Sequence, residues 1–174
     1  FAAAIAMEGE GQILSCDVHP HKLKLIDSGA KRLGISCLRT MLADAREHHA
    51  AWDRAADVVI ADVPCSGLGI IRKKPDIRYK NPEELAQLPI IQREILENVC
   101  RYVRSGGVLV YSTCTILPEE NEQVTEAFLQ AHPEFERTAF TLPLPIGTCD
   151  GQLTLWPQRH GTDGFYICRM RRKD

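Results

Sequence analysis

Apolar and polar positions along this chain follow two alternating rhythms. Residues 56–61 (A-D-V-V-I-A) and 108–112 (V-L-V-Y-S) are short runs rich in β-branched residues and almost free of charge. That is the pattern of strands buried on both faces of a parallel sheet. Residues 12–16 and 36–41 are two further strand candidates. Between them Leu23, Ile26, Ala30 and Leu33 recur at three- and four-residue intervals, which predicts a helix over 20–33 stopped by Gly34. A second helix is predicted with Asn81 as its N-cap, Pro82 at the first position and Glu84 at the third. Its apolar stripe runs through Leu88, Ile91, Ile95, Val99 and Val103, with Pro89 as a kink or break and Gly106-Gly107 as its end. A third helix is expected after residue 112, where Pro118 and the acids Glu119, Glu120 and Glu122 suit the positive end of the dipole, and Pro133 terminates it. The remainder holds strand candidates at 135–140, 153–156 and 165–170, joined by Pro- and Gly-rich turns. Residues 1–7 read as a helix entered part-way, so further chain is expected before Phe1.

This order predicts an α/β fold, a doubly wound Rossmann-like sheet that is mostly parallel and closed by a C-terminal antiparallel hairpin. No repeat, low-complexity tract or linker interrupts it, and residues 1–174 are read as one domain. The composition, 44% hydrophobic and 25% charged, is ordinary globular usage. A formal net charge of −2 carries no global signature of a nucleic-acid binder, so a polyanion has to be met by local patches. The seven cysteines are odd in number and none is spaced C-x-x-C. With no secretory leader and no membrane-length apolar run, they favour reduced thiols, a cytoplasmic location, no zinc and no membrane partner.

Candidate chemistry collects where the two buried runs end. The first leads into D-V-P-C-S-G-L-G, Asp62 to Gly69, and the second into Y-S-T-C-T-I-L-P-E-E-N-E, Tyr111 to Glu122. In open α/β sheets the ligand site lies just beyond the carboxyl ends of the strands, so Asp62, Cys65 and Cys114 should meet at one edge. A cysteine at a strand end is ordinarily a small buried hydrophobe, and Cys16, Cys37, Cys100, Cys149 and Cys168 keep that reading. Asp17 and Asp44 follow the two earlier strands, where an acid either caps a turn or accepts hydrogen bonds from a bound ribose or adenine. Arg72, Lys73 and Lys74, with Arg78 and Lys80, form a basic run beside the first motif; it is either a solvated face or a phosphate-binding patch.

Four elements in order carry a family resemblance: D-V-P-C-S-G-L-G, R-K-K-P-D-I-R, T-C-T-I-L-P-E-E-N-E and R-H-G-T-D-G-F-Y. From about Gly11 to Arg171 the chain resembles the catalytic domain of the Sun-family RNA cytosine-5 methyltransferases, in particular the bacterial RsmB-like ribosomal RNA enzymes. The resemblance implies a class I methyltransferase fold and S-adenosylmethionine as cofactor. It implies an RNA substrate, ribosomal in this branch, methylated at carbon 5 of a cytosine. By resemblance Cys114 is the nucleophile that adds to carbon 6, Asp62 orients and polarises the base, and Cys65 assists product release. Asp17 would hold the ribose, Asp44 would face the adenine, and Asp62 would border the cofactor. The family's first motif, a strand with a Gly-rich turn, would lie before Phe1, as would an additional RNA-binding region. Two alternatives stay open. A DNA cytosine methyltransferase would use the cysteine of the first motif as nucleophile but has no place for the T-C-T-I-L-P-E-E-N-E segment; a non-catalytic RNA-binding relative is the other.

Overall fold

The computed structural model describes residues 1–174, and the chain gathers into two compact units, Phe1–Glu47 and His48–Asp174. The first unit contains α1 (Ala2–Ala6), β1 (Ile13–Asp17), α2 (Pro20–Arg32) and β2 (Leu38–Leu42). β1 and β2 pair in parallel, Ile13 opposite Leu38 and Asp17 opposite Leu42. Pro20 opens α2 with its φ already helical, and Gly34 takes φ +68° just past the end, the left-handed stop expected from the sequence. Leu23 and Ala30 form the buried stripe of α2. Gly29 lies under the Phe1 ring, so close that a Cβ there would sit 2.5 Å from Phe1 Cζ.

The second unit holds β3 (Ala56–Asp62), α3 (Pro82–Val99), β4 (Val103–Thr113), α4 (Glu122–Ala131), β5 (Phe135–Arg137), β6 (Phe140–Leu142), β7 (Gly147–Cys149), β8 (Gln152–Leu155), α5 (Pro157–His160) and β9 (Phe165–Arg172). Its main sheet runs β3-β4-β9-β5, with β8 also on β9. β3 and β4 are parallel; β9 lies antiparallel to β4, β5 and β8. The core comprises Leu96 and Val99 of α3, Leu109 and Tyr111 of β4, Val124 and Phe128 of α4, and Phe135, Tyr166 and Met170 of the antiparallel tail. The α/β reading therefore holds, and the tail is richer than one hairpin: besides β8-β9 it contains the small β6-β7 ladder and the short α5, both too brief to leave a periodic signal.

Four details depart from the sequence pattern. Within this chain β3 is the outer strand of its sheet and has one face covered: Val59 and Ala61 pack toward the core, whereas Val58 and Ile60 are 54% and 60% exposed. An apolar run says what a strand is able to bury, while its neighbours decide what is covered. α3 runs through Pro89 without a break, forfeiting one backbone bond, and its Asn81 cap accepts the Glu83 N–H at 3.0 Å. The helix stops at Val99 and Val103 already belongs to β4, so its place in the helical stripe is coincidence. Gly106-Gly107 consequently lies inside β4, at an irregularity where the register against β3 jumps between Ala56/Val103 and Val58/Val108. Gly106 takes φ +70°, and a Cβ on Gly107 would lie 2.9 Å from Arg104 O and 3.0 Å from Asp57 O. Finally, Pro118 to Asn121 form a turn ahead of α4 instead of its first turn.

Leu109 is fully buried at the centre of this core and Leu144 is 88% exposed. Leu109→Ala is expected to cost ~2–5 kcal/mol through reduced transfer energy and the residual cavity, read as a lower urea midpoint with an unchanged slope. Leu144→Ala should leave the midpoint where it is.

Candidate active site

β3 and β4 position the two cysteine motifs because their parallel register places Asp62 directly opposite Ser112. Val63 N–H extends the ladder by one bond to Ser112 O, at 3.2 Å. The chain then leaves both strands at the same edge, one as the 63–69 loop and the other as the turn from Cys114. Gly69 N–H donates to Cys114 O at 3.0 Å, and Gly164 N–H donates to Gly69 O at 2.8 Å. That three-way backbone approach tolerates no side chain, since a Cβ on Gly69 would meet Gly164 O at 2.1 Å and Cys114 O at 2.8 Å.

The loop and the turn bring the two thiols to 3.2 Å, Sγ to Sγ, and Cys114 N–H also donates to Cys65 Sγ at 3.3 Å. Both side chains are half-buried. The proton they share divides them. The hydrogen bond from the Cys65 thiol, helped by the Lys80 ammonium, outweighs burial and the Asp62 charge and lowers Cys114 to about 7. Cys65 moves up strongly, first because its proton is engaged by Cys114 and then through desolvation. The contact thus favours ionisation of one thiol while the other keeps its proton. Asp62 is exposed at the same edge and accepts the Ser112 hydroxyl at 3.2 Å. Cys100 and Cys168 are buried, as the sequence pattern predicts; Cys16 is exposed, and Cys37 and Cys149 are partly covered.

In the first unit Asp17 and Asp44 sit at and just beyond the carboxyl ends of the parallel β1 and β2, with Ala43 N–H on Asp17 O at 3.3 Å. Asp17 accepts the His19 N–H at 2.8 Å and faces Lys22 at 3.3 Å. Desolvation pulls its carboxyl up, but that N–H and the Lys22 ammonium hold it below its usual range. Asp44 accepts from the Arg46 side chain and backbone N–H, which depress it in that order. Both remain ionised acceptors, the chemistry a ribose hydroxyl or an exocyclic amine requires.

The basic run is partly self-neutralised. Lys73 and Arg72 both face Asp163 in the 161–164 turn, and Lys73 in particular holds that carboxyl low. Lys74 is exposed. Lys80 reaches back to Ser66 O at 2.9 Å, which makes it a part of the thiol site and not only of a surface patch.

A sequence profile of the family described as 16S rRNA methyltransferase RsmB/F matches residues 1–171. The chain belongs to this family. It is 42% identical, over 96% of its length, to the "Probable ribosomal RNA small subunit methyltransferase B" of Bacillus subtilis (strain 168), covering 39% of that protein. It is 33% identical, over 97% of its length, to the "Ribosomal RNA small subunit methyltransferase F" of Escherichia coli O157:H7 (strain EC4115 / EHEC), covering 36%. Among solved structures, NSun6 from Pyrococcus horikoshii with SFG superposes with a TM-score of 0.78 at 25% identity, over 99% of this chain and 44% of that one. The chain thus spans about two fifths of the curated relatives it matches, and its fold is that of the class I methyltransferases.

The sequence pattern does not mark the polar residues that surround the two thiols. Glu120, Gln92, Ser66, Thr115 and Asn121 are all buried. Thr113 donates to Asn121 Oδ1 at 2.6 Å, and Asn121 Nδ2 donates to Thr115 O at 3.1 Å. The sequence pattern places Glu120 at the dipole of the following helix; its carboxylate reaches instead to the Cys65 loop. Nothing in a P-E-E-N string marks which acid turns inward.

The pH profile of thiol reactivity tests the electrostatics. Iodoacetamide should alkylate Cys114 at a rate that climbs as pH rises through about 7, because the thiolate is the reacting form. Cys65→Ala removes the S–H donor and should move that midpoint up toward the ordinary thiol range of about 8.5. Peptide mass spectrometry reads both sites; equal labelling of the two cysteines between about pH 6 and 9 would contradict the assignment.

Proposed function

We propose that this chain is the S-adenosylmethionine-dependent catalytic part of a ribosomal RNA methyltransferase that modifies carbon 5 of a cytosine through a covalent Cys114 adduct. The observation that carries this reading is the 3.2 Å contact between a thiol lowered to about 7 and a thiol pushed up, at the carboxyl ends of two parallel strands. Family membership supports the methyl-transfer class and the ribosomal RNA substrate. The related structure that contains SFG, an S-adenosylmethionine analogue, supports the cofactor.

Carbon 5 of cytosine is a poor nucleophile until a group adds at carbon 6. Cys114 thiolate forms that bond, the 5,6 double bond opens, and electron density moves to carbon 5 and the N3 edge. Asp62 orients the base and favours uptake of a solvent proton at N3, which returns to solvent when the product leaves. Bound S-adenosylmethionine would supply an electrophilic methyl group to carbon 5; in the first unit, Asp17 and Asp44 are the acceptors that would suit its hydroxyl and amino groups. To release the product, Cys65 takes the carbon-5 proton while passing its own proton to the departing Cys114 sulfur, and the 5,6 double bond re-forms. Both sulfurs end protonated, and Cys114 ionises again near neutrality. Arg72, Lys73 and Lys74 contact phosphates beside the site, with Asp163 giving up its two partners as RNA arrives.

Denaturing gel electrophoresis of the full-length protein mixed with S-adenosylmethionine and unmethylated small-subunit ribosomal RNA tests the covalent mechanism. Cys65→Ala should accumulate a denaturant-stable protein–RNA adduct, and Cys114→Ala should lose both adduct and methylation. The reverse pattern would transfer the nucleophile to Cys65, as the DNA-type mechanism requires.

Neutralising Arg72, Lys73 and Lys74 together should weaken RNA binding. It should also flatten the plot of log affinity against log salt by about 0.7 for each single-strand phosphate that no longer meets a cation, with cofactor affinity constant. An unchanged slope identifies the run as a solvated face.

A further inference from the structure

Glu120 is 2% exposed and lies in the unit that carries both thiols. Its Oε2 accepts the Ser66 N–H at 2.9 Å and Gln92 Nε2 at 2.8 Å, while its Oε1 has no hydrogen-bond partner within the chain. Desolvating a carboxylate with one oxygen left unpaired is unfavourable, and apolar packing in the same volume is the more stable alternative. Stability alone does not account for this side chain.

Its partners do. Ser66 N–H belongs to the peptide immediately after Cys65. The Gln92 amide that donates to Glu120 also donates to Pro64 O at 2.9 Å, the carbonyl immediately before Cys65. Both peptide groups flanking the thiol are therefore held by one carboxylate and one amide. The same network reaches the other thiol: Tyr111 hydroxyl donates to Glu120 O at 2.6 Å, and Ser66 Oγ lies 2.7 Å from Thr115 Oγ1, next to Cys114. The side chains of Glu120, Gln92, Ser66, Tyr111 and Thr115 are all buried, where a satisfied hydrogen bond fixes geometry more firmly than at a surface.

We propose that Glu120 is a positioning residue of the methylation site, fixing the peptides around Cys65 so that its S–H lies on the Cys114 sulfur. The role rests on the assignment of the two thiols made above. Glu120 acts through Cys65: without the clamp the 63–69 loop relaxes, Cys114 loses its donor, and both the ionisation of the nucleophile and the release of the product suffer.

Full-length variants test this with two readouts, the pH midpoint of Cys114 alkylation and the denaturant-stable adduct with unmethylated small-subunit ribosomal RNA. Glu120→Ala should raise the midpoint from about 7 toward that of Cys65→Ala, and adduct should persist as in that variant. Glu120→Gln keeps an acceptor oxygen for Ser66 N–H and should return both readouts close to wild type; failure to do so overturns the hydrogen-bonding role. If Glu120→Ala does not fold, Gln92→Met, which conserves volume but lacks the amide, should shift both readouts in the same direction. A folded Glu120→Ala, or failing that Gln92→Met, with wild-type midpoint and adduct clearance overturns the proposal. The underlying thiol assignment fails separately, when Cys65→Ala itself moves neither readout.

Discussion

Because β3 and β4 pair in parallel with Asp62 opposite Ser112, two segments distant in sequence leave the sheet in the same direction and at the same level. Antiparallel pairing would send the second loop to the far edge. Parallel strands need a long crossover between them, which α3 supplies, and that helix brings Gln92 onto the back of the Cys65 loop. The site therefore inherits its geometry from the sheet and its rigidity from the crossover.

The second constraint is close backbone approach. Gly69 and Gly164 let the loop after β3, the turn after β4 and the turn before β9 cross within hydrogen-bonding distance. Since β9 is antiparallel to β4, its starting turn arrives at the edge where β4 ends. The C-terminal tail is thus not an appendage: it covers the core with Tyr166 and Met170, and its leading turn brings Asp163 to Arg72 and Lys73. An acid opposing two basic residues reduces their unpaired charge, through exposed ion pairs that themselves contribute little to stability.

The two thiols at this edge are identical groups in different surroundings. In water both cysteines would titrate alike. Here one is more buried, the other adjoins an ammonium, and the hydrogen bond between them allows only one to ionise easily. The buried polar network behind them is unfavourable to desolvate and is only partly compensated by pairing: Ser66 pairs with Thr115, Thr113 with Asn121 and Thr125 with Tyr166, whereas Glu120 Oε1 and Gln92 Oε1 have no partner within the chain.

Much of this is legible in the chain itself. Uncharged β-branched runs locate β3 and β4, the capping residues Asn81 and Pro82 locate the start of α3, and the strand-end motifs bring Cys65 and Cys114 to one edge. Those signals are local or follow from a rule of sheet connectivity, so sequence carries them. Exposure of Val58 and Ile60, the passage of α3 through Pro89, and the start of β4 at Val103 are not legible, because each depends on which neighbour supplies or withholds cover. The same holds for chemistry. Residue type identifies the thiols and the acids, but only tertiary packing turns Glu120 inward, sets Lys80 on the Cys65 loop and makes one sulfur acidic and the other not. Ionisation responds to desolvation and charge at a few ångströms, distances that exist only once segments remote in sequence have packed together.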